Sequence, residues 1–155
     1  LFIWNRHYLL MHLGDSRIYQ IQRKKDREWK KIRNRNGIAA GKESGRQMQK
    51  ESGKENVMKL SNDHSDEAGR LTKCMGSFAY QYPDCKKGKI RRNTGFLLCT
   101  DGFYHFVTEK MLGGILEPGE FVEGEQIEKR LKELAGYAGK QGEKDNISAV
   151  YFACR

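Results

Sequence analysis

The sequence predicts an α+β domain whose strands pair antiparallel, and three observations carry that expectation. First, two short segments with strand character, Tyr8–Leu13 and Arg17–Gln22, are separated only by the turn signal Gly14-Asp15. Second, Gly95–Thr100 is a continuous apolar run closed by Asp101-Gly102, and Asn146–Phe152 has the composition of a terminal strand. Third, Ile127, Leu131, Leu134, Ala135 and Ala138 recur at helical spacing, with Lys129, Arg130, Lys132 and Glu133 on the opposite face.

Taken in order, Leu1-Phe2-Ile3-Trp4 is apolar and strand-like but is interrupted by Asn5, Arg6 and His7, so it is neither a signal peptide nor a membrane span. A chain that opens without Met, directly in strand-like sequence, reads as a fragment or a processed form. After Arg17–Gln22, the charged Lys24-Lys25-Asp26-Arg27 suits a hairpin tip, with Glu28 to Arg33 returning as an exposed strand anchored by Trp29 and Ile32. Residues 34–59 then lose any pattern, with Ile38, Val57 and Met58 almost the only aliphatic anchors. They read as a flexible basic insertion with a transient helix from Glu43 to Lys50. Order resumes near Leu60, and Phe78–Tyr82 and Lys89–Arg92 are expected as strands around a Pro83-Asp84 turn. Thr108 and Glu109 suit the first turn of a helix ending at Gly113-Gly114, and the long helix begins at Gly124 and stops at Gly139–Gly142.

A chain of 155 residues is enough for one domain, expected here over residues 1–155. The net charge of +9 is concentrated between Arg23 and Lys59. A local basic block of this kind reads first as a solvated loop; nucleic acid is an unlikely partner because no recognition helix or aromatic stacking platform accompanies it. Cys74, Cys85, Cys99 and Cys154 are widely spaced, without a C-x-x-C pair, which fits reduced thiols in a cytoplasmic protein.

The residues able to carry chemistry stand at the ends of these elements. Asp101 follows a buried strand and precedes a glycine, and Asp145 precedes Asn146 at the entry to the last strand. Taken singly, Asp-Gly is a turn and Asp-Asn a cap. Yet Gly14-Asp15-Ser16-Arg17, Leu71-Thr72-Lys73-Cys74-Met75-Gly76, Cys99-Thr100-Asp101-Gly102 and Asp145-Asn146 occur in one order. In that order they resemble the C-terminal two thirds of the PPM (PP2C-like) family of metal-dependent serine/threonine protein phosphatases. The likeness runs from about Leu1 to Phe152. Leu60-Ser61-Asn62-Asp63-His64-Ser65 is similar to a further stretch of that family, although here it stands close to Leu71-Thr72, where the family places a helical flap.

The resemblance implies a four-layer αββα sandwich, two antiparallel sheets flanked by helices, N-terminally incomplete in this chain. It implies a binuclear Mn2+ or Mg2+ centre, with a third cation at an accessory position, whose bound water attacks phosphoserine or phosphothreonine. By resemblance Asp101 and Asp145 are metal ligands and Asp15 is a weaker one, for which the role of Asx-turn acceptor stands equally open. Arg17, Gly102 and Asn146 are expected to be structural near the site. No catalytic residue is expected within the chain, because the family's acidic N-terminal motif has no counterpart here. The partners implied are phosphorylated proteins, including those of a Ser/Thr kinase, in bacterial signalling, with no membrane role. The alternative is a catalytically inactive phosphatase-like regulatory or binding module. His64 reads as exposed or capping, His7, His12 and His105 as structural without partners, and Tyr80, Tyr82, Phe103, Tyr104 and Phe106 as core-filling.

Overall fold

A computed structural model of the chain describes residues 1–23, 56–119 and 124–154. The expected hairpin tip at Lys24–Arg27, the strand Glu28–Arg33, the helix Glu43–Lys50 and positions 34–55 of the insertion lie outside the described residues. The strands are β1 (Phe2–Trp4), β2 (His7–His12), β3 (Arg17–Gln22), β4 (Val57–Lys59), β5 (Asp84–Lys89), β6 (Thr94–Cys99) and β7 (Ala149–Cys154). The helices among the described residues are α1 (Asp101–Tyr104), α2 (Glu109–Ile115) and α3 (Gly124–Lys140). None of them is long and apolar enough to cross a membrane.

Among the described residues every strand pairing is antiparallel, in two sheets ordered β1-β2-β5 and β4-β3-β6-β7. Tyr8, Leu10, Ile18, Leu60, Ile90 and Phe96 fill the space between the sheets, where the Tyr8 and Phe96 rings meet edge to face with centroids 5.5 Å apart. The other face of the second sheet buries Tyr19, Ile21, Leu97, Cys99 and Tyr151 against Phe103, Leu112, Leu116, Leu134 and Ala138 of the helical side. β3 and β6 therefore lie between two apolar layers. That is why burial is nearly continuous along both, although Arg17–Gln22 alternates apolar and polar residues in sequence, whereas the burial of β2 alternates strictly. The outward residues of the first sheet, Phe2, Trp4, Leu9 and Met11, are exposed, with no described helix over them.

Local chemistry explains where the chain departs from expectation. Asn5 and Arg6 both have positive φ (42° and 60°), so the polar interruption of the first apolar run is a two-residue hairpin turn closed by the Trp4–His7 pair. Val57–Lys59, expected within the insertion, is a strand, because Val57 packs into the helix-side core while pairing with Ile21. Neither Phe78–Tyr82 nor Lys89–Arg92 is a strand. The strand is Asp84–Lys89, in register with β2 from His12↔Asp84 to His7↔Lys89. Its lysines and glycine disguise it, and the glycine leaves room for the neighbouring ring, since a Cβ on Gly88 would stand 2.5 Å from Cε1 of Tyr8 and the ring would have to shift. Without a partner strand Tyr80 and Tyr82 are exposed, against their expected core role. Helix α2 runs through Gly113-Gly114 to Ile115. Gly113 sits against Asn56, whose Nδ2 donates to the Gly113 carbonyl at 2.9 Å.

Candidate functional site

The register of the second sheet brings the sequence-predicted site residues to one end of it. Arg17 of β3 pairs with Cys99 of β6, and Cys99 pairs with Ala149 of β7. The turn holding Asp15, the junction holding Asp101 and the loop holding Asp145 therefore open at the same edge of the sandwich.

Asp101 is the first residue of α1, delivered as the buried β6 run ends. Thr100 clasps the opposite loop: its N–H donates to the Ser148 carbonyl at 3.1 Å, its Oγ1 donates to the Asn146 carbonyl at 3.1 Å, and the same Oγ1 accepts the Ser148 N–H at 3.1 Å. Gly102 completes the approach, since a Cβ there would lie 2.7 Å from the Asn146 carbonyl oxygen. The backbones carrying Asp101 and Asp145 are thus in direct contact. Each carboxylate uses one oxygen on the next residue's amide, Asp101 Oδ1 accepting from Gly102 N–H at 2.8 Å and Asp145 Oδ1 from Asn146 N–H at 2.7 Å.

The Asp145 loop is shaped by Glu143, whose side chain is only 8% exposed. Its Oε1 accepts the amides of Lys144 and Asp145, both at 2.9 Å, and its Oε2 lies 3.0 Å from Nδ1 of His105. The Asp145 amide first, then His105 and the Lys144 amide, hold the Glu143 carboxyl below its usual pKa against the effect of desolvation. His105, expected to have no partner, has this one.

Asp15 stands in the β2–β3 turn, where Gly14 has φ 117°. Its carbonyl accepts the Tyr104 hydroxyl at 3.0 Å, which ties the turn to α1. No hydrogen bond to the Asp15 carboxylate is formed among the described residues, so it is not an Asx-turn acceptor there. Arg17 lies over the Tyr104 ring, 3.6 Å from its centroid, and makes a bidentate pair with Asp63, Nε to Oδ1 at 3.1 Å and Nη2 to Oδ2 at 2.7 Å. Partial burial opposes ionisation of Asp63, but the hydrogen bonds from Arg17 and Lys59 outweigh it and hold its pKa low. Tyr104 is pushed up to about 12, by burial first; Arg17 pulls the other way, and the carboxylates of Asp63, Asp15 and Asp101 add to the rise. Its hydroxyl therefore feels two of the candidate ligands. Tyr104 packs against the helix-side core, as its aromatic neighbourhood in the sequence suggests, and its hydroxyl also makes it the joint between two site segments.

His64 is buried, not exposed. Its Nδ1 accepts the Gly14 N–H at 3.1 Å, and its ring stacks on that of His12 with centroids 5.2 Å apart. Between the two similar motifs around it there is no helical flap. Asp66–Arg70 closes a turn, Gly69 N–H donating to the Asp66 carbonyl at 2.9 Å, and a Ser65–Leu71 bridge joins its ends.

Oxygen donors of the type a hard dication takes are thus gathered at one edge, but they are few. Among the described residues no group of three or more His, Cys, Asp or Glu side chains is placed to hold a metal ion. Asp63, Tyr104 and Glu143, which organise the segments, are site residues that sequence reasoning misses. The one signal it offers is the place of Asp63 within the Leu60–Ser65 motif.

No protein-family model matches the chain. No curated protein matches it either. Solved structures do. The Streptococcus agalactiae (S. agalactiae) serine/threonine phosphatase superimposes with a TM-score of 0.65 at 15% identity, over 97% of this chain and 55% of that one. PppA of Pseudomonas aeruginosa, described as a key regulatory component of T6SS, gives 0.62 at 19% identity over 96% and 53%. The catalytic domain of the serine/threonine protein phosphatase PstP, in complex with 2 manganese ions, gives 0.59 at 20% identity over 99% and 56%. The chain spans about half the length of these structures. Two stacked antiparallel sheets with helices on one face, the order of the elements and these superpositions together give the chain the PP2C-like fold of bacterial serine/threonine phosphatases, over roughly half of that fold.

Proposed function

We propose that this chain is part of a PPM-type protein serine/threonine phosphatase and furnishes the carboxylates Asp101 and Asp145, with Asp15 as an accessory ligand, to a Mn2+ or Mg2+ centre. The observation that carries the reading is the contact of Gly102 with the Asn146 backbone, which sets two otherwise distant carboxylate segments side by side. Carboxylate oxygens are the donors these cations prefer, and when bound such a pair of cations supplies a nucleophilic water and neutralises charge on the phosphoryl oxygens. Arg17, committed to Asp63 and the Tyr104 ring, supports the turn and does not grip phosphate. The implied substrates are phosphoserine and phosphothreonine proteins of a kinase-driven, cytoplasmic signalling system.

Titration of the 15N-labelled chain with Mn2+ tests this. Paramagnetic broadening is expected first at the amides of Gly102 and Asn146, and it should disappear in Asp101→Asn and Asp145→Asn. Broadening confined to other acidic positions would overturn the assignment. The alternative reading is an inactive phosphatase-like binding module. Under that reading a phosphothreonine peptide binds without Mn2+-dependent release of phosphate.

A further inference from the structure

The Gly14–Arg17 turn is held by side chains from three separate segments, and each takes a different backbone group of three consecutive residues. His64 Nδ1 accepts the Gly14 N–H at 3.1 Å, the Tyr104 hydroxyl donates to the Asp15 carbonyl at 3.0 Å, and His12 Nε2 lies 2.6 Å from the Ser16 carbonyl, to which it donates. The His64 amide also donates to the Gly14 carbonyl at 3.0 Å. These partners fix the tautomers. His64 Nδ1 is a bare acceptor, so its proton is on Nε2, which stands 3.2 Å from Asp84 Oδ2 without being aligned as a hydrogen bond. His12 carries its proton on Nε2, leaving a buried Nδ1 with no partner among the described residues.

Leaving such a ring nitrogen unsatisfied is unfavourable. The arrangement persists because both rings are stacked in a fixed orientation, each 6% exposed. The Gly14 N–H and carbonyl and the carbonyls of Asp15 and Ser16 are all engaged, so the backbone on either side of the Asp15 carboxylate is held. We propose that His64, backed by the stacked His12, is a positioning residue that sets the backbone of this turn and so aims the Asp15 carboxylate at the candidate metal position. The functional half of this inference rests on the reading of Asp15 as an accessory ligand.

Two variants separate the hydrogen bond from the bulk of the ring. His64→Asn puts an amide Oδ1 where Nδ1 stood and keeps the acceptor, whereas His64→Gln carries the polar group out to the Nε2 position and loses it. In wild type a through-hydrogen-bond coupling between the Gly14 and His64 Nδ1 nitrogens is expected. Losing one hydrogen bond of this kind corresponds to about tenfold faster exchange of the Gly14 amide in His64→Gln, with His64→Asn within about twofold of wild type. Mn2+-induced broadening of the Asp15 and Ser16 amides should follow the same split, retained in His64→Asn and shifted to about fivefold higher Mn2+ in His64→Gln. No coupling in wild type, or equal Gly14 exchange in the two variants, would overturn the positioning role. Absence of any Mn2+ broadening in wild type would instead overturn the metal reading, while the exchange data still decide what His64 does.

Discussion

Replacing Gly102 by Ala adds one methyl group at the point where two loops of the site touch. The new carbon would lie 2.7 Å from the Asn146 carbonyl oxygen, 3.3 Å from its carbonyl carbon and 3.4 Å from that of Asp145. All three are backbone atoms, and the Asn146 carbonyl is already engaged by Thr100 Oγ1, so no flexible side chain can swing aside. Forcing an extra methylene into a packed site costs about 1–3 kcal/mol, and the rigidity of the obstacle puts this case in the upper half of that range. Against it stands the helical preference of Ala over Gly, at most about 1 kcal/mol. The net expectation is a loss of about 1–2 kcal/mol, which lowers the urea midpoint by roughly 0.5–1 M. Gly136 provides the control, because it lies within α3 and a Cβ there would meet nothing within 4 Å. Gly136→Ala should raise the midpoint by a few tenths of a molar, reflecting roughly 0.5–1 kcal/mol. If Gly102→Ala matched Gly136→Ala in sign, the two loops would not be in contact in solution, and the geometry that unites Asp101 with Asp145 would be wrong.

Two further substitutions examine the joints around the site. Asp63→Asn should destabilise the chain by about 1–2 kcal/mol at pH 7, after allowance for partial exposure of its pair with Arg17. Because the folded-state pKa of Asp63 is depressed, this gap is present in full above the unfolded value of about 3.9 and closes as pH falls through the folded one. Urea midpoints at pH 7 and pH 3 report it, and a gap independent of pH would contradict the ion pair. Tyr151→Phe removes the donor that serves the Leu116 carbonyl at 2.9 Å in the helix-side core. A loss of about 1–2 kcal/mol in thermal or urea unfolding is expected, and a neutral result would mean that water reaches that carbonyl.

The parts of the fold legible in the sequence are those whose burial pattern is simple. β3 and β6 are covered on both faces and read as strands; α3 buries Leu134 and Ala138 on one stripe and reads as a helix. β5 is hidden because tertiary contact overrides propensity: Lys86, Lys87 and Lys89 are exposed, and Gly88 makes room for a tyrosine ring from the neighbouring strand. The first hairpin escapes notice for the related reason that Asn5 and Arg6 adopt left-handed backbone without a glycine to announce it.

Within the candidate site, the positions of Asp101 and Asp145 at element ends can be read directly, because a strand boundary is marked by the residues that form it. What holds those ends together cannot. Glu143 turns inward onto the amides of its own loop, Tyr104 bridges from α1 to the Asp15 carbonyl, and His64 reaches the Gly14 amide across fifty positions of sequence. None of these has a spacing that local periodicity can detect. Their partners are backbone groups, which carry no sequence identity, so even a perfect motif for the carboxylates is silent about them. The carboxylates of Asp101 and Asp145 each accept the following amide, whereas that of Asp15, with no such bond among the described residues, depends on the bonds that hold its backbone. Substitutions at these supporting positions should therefore move the Asp15 and Asp145 segments without removing a single candidate ligand, a separation that no substitution of the aspartates themselves can achieve.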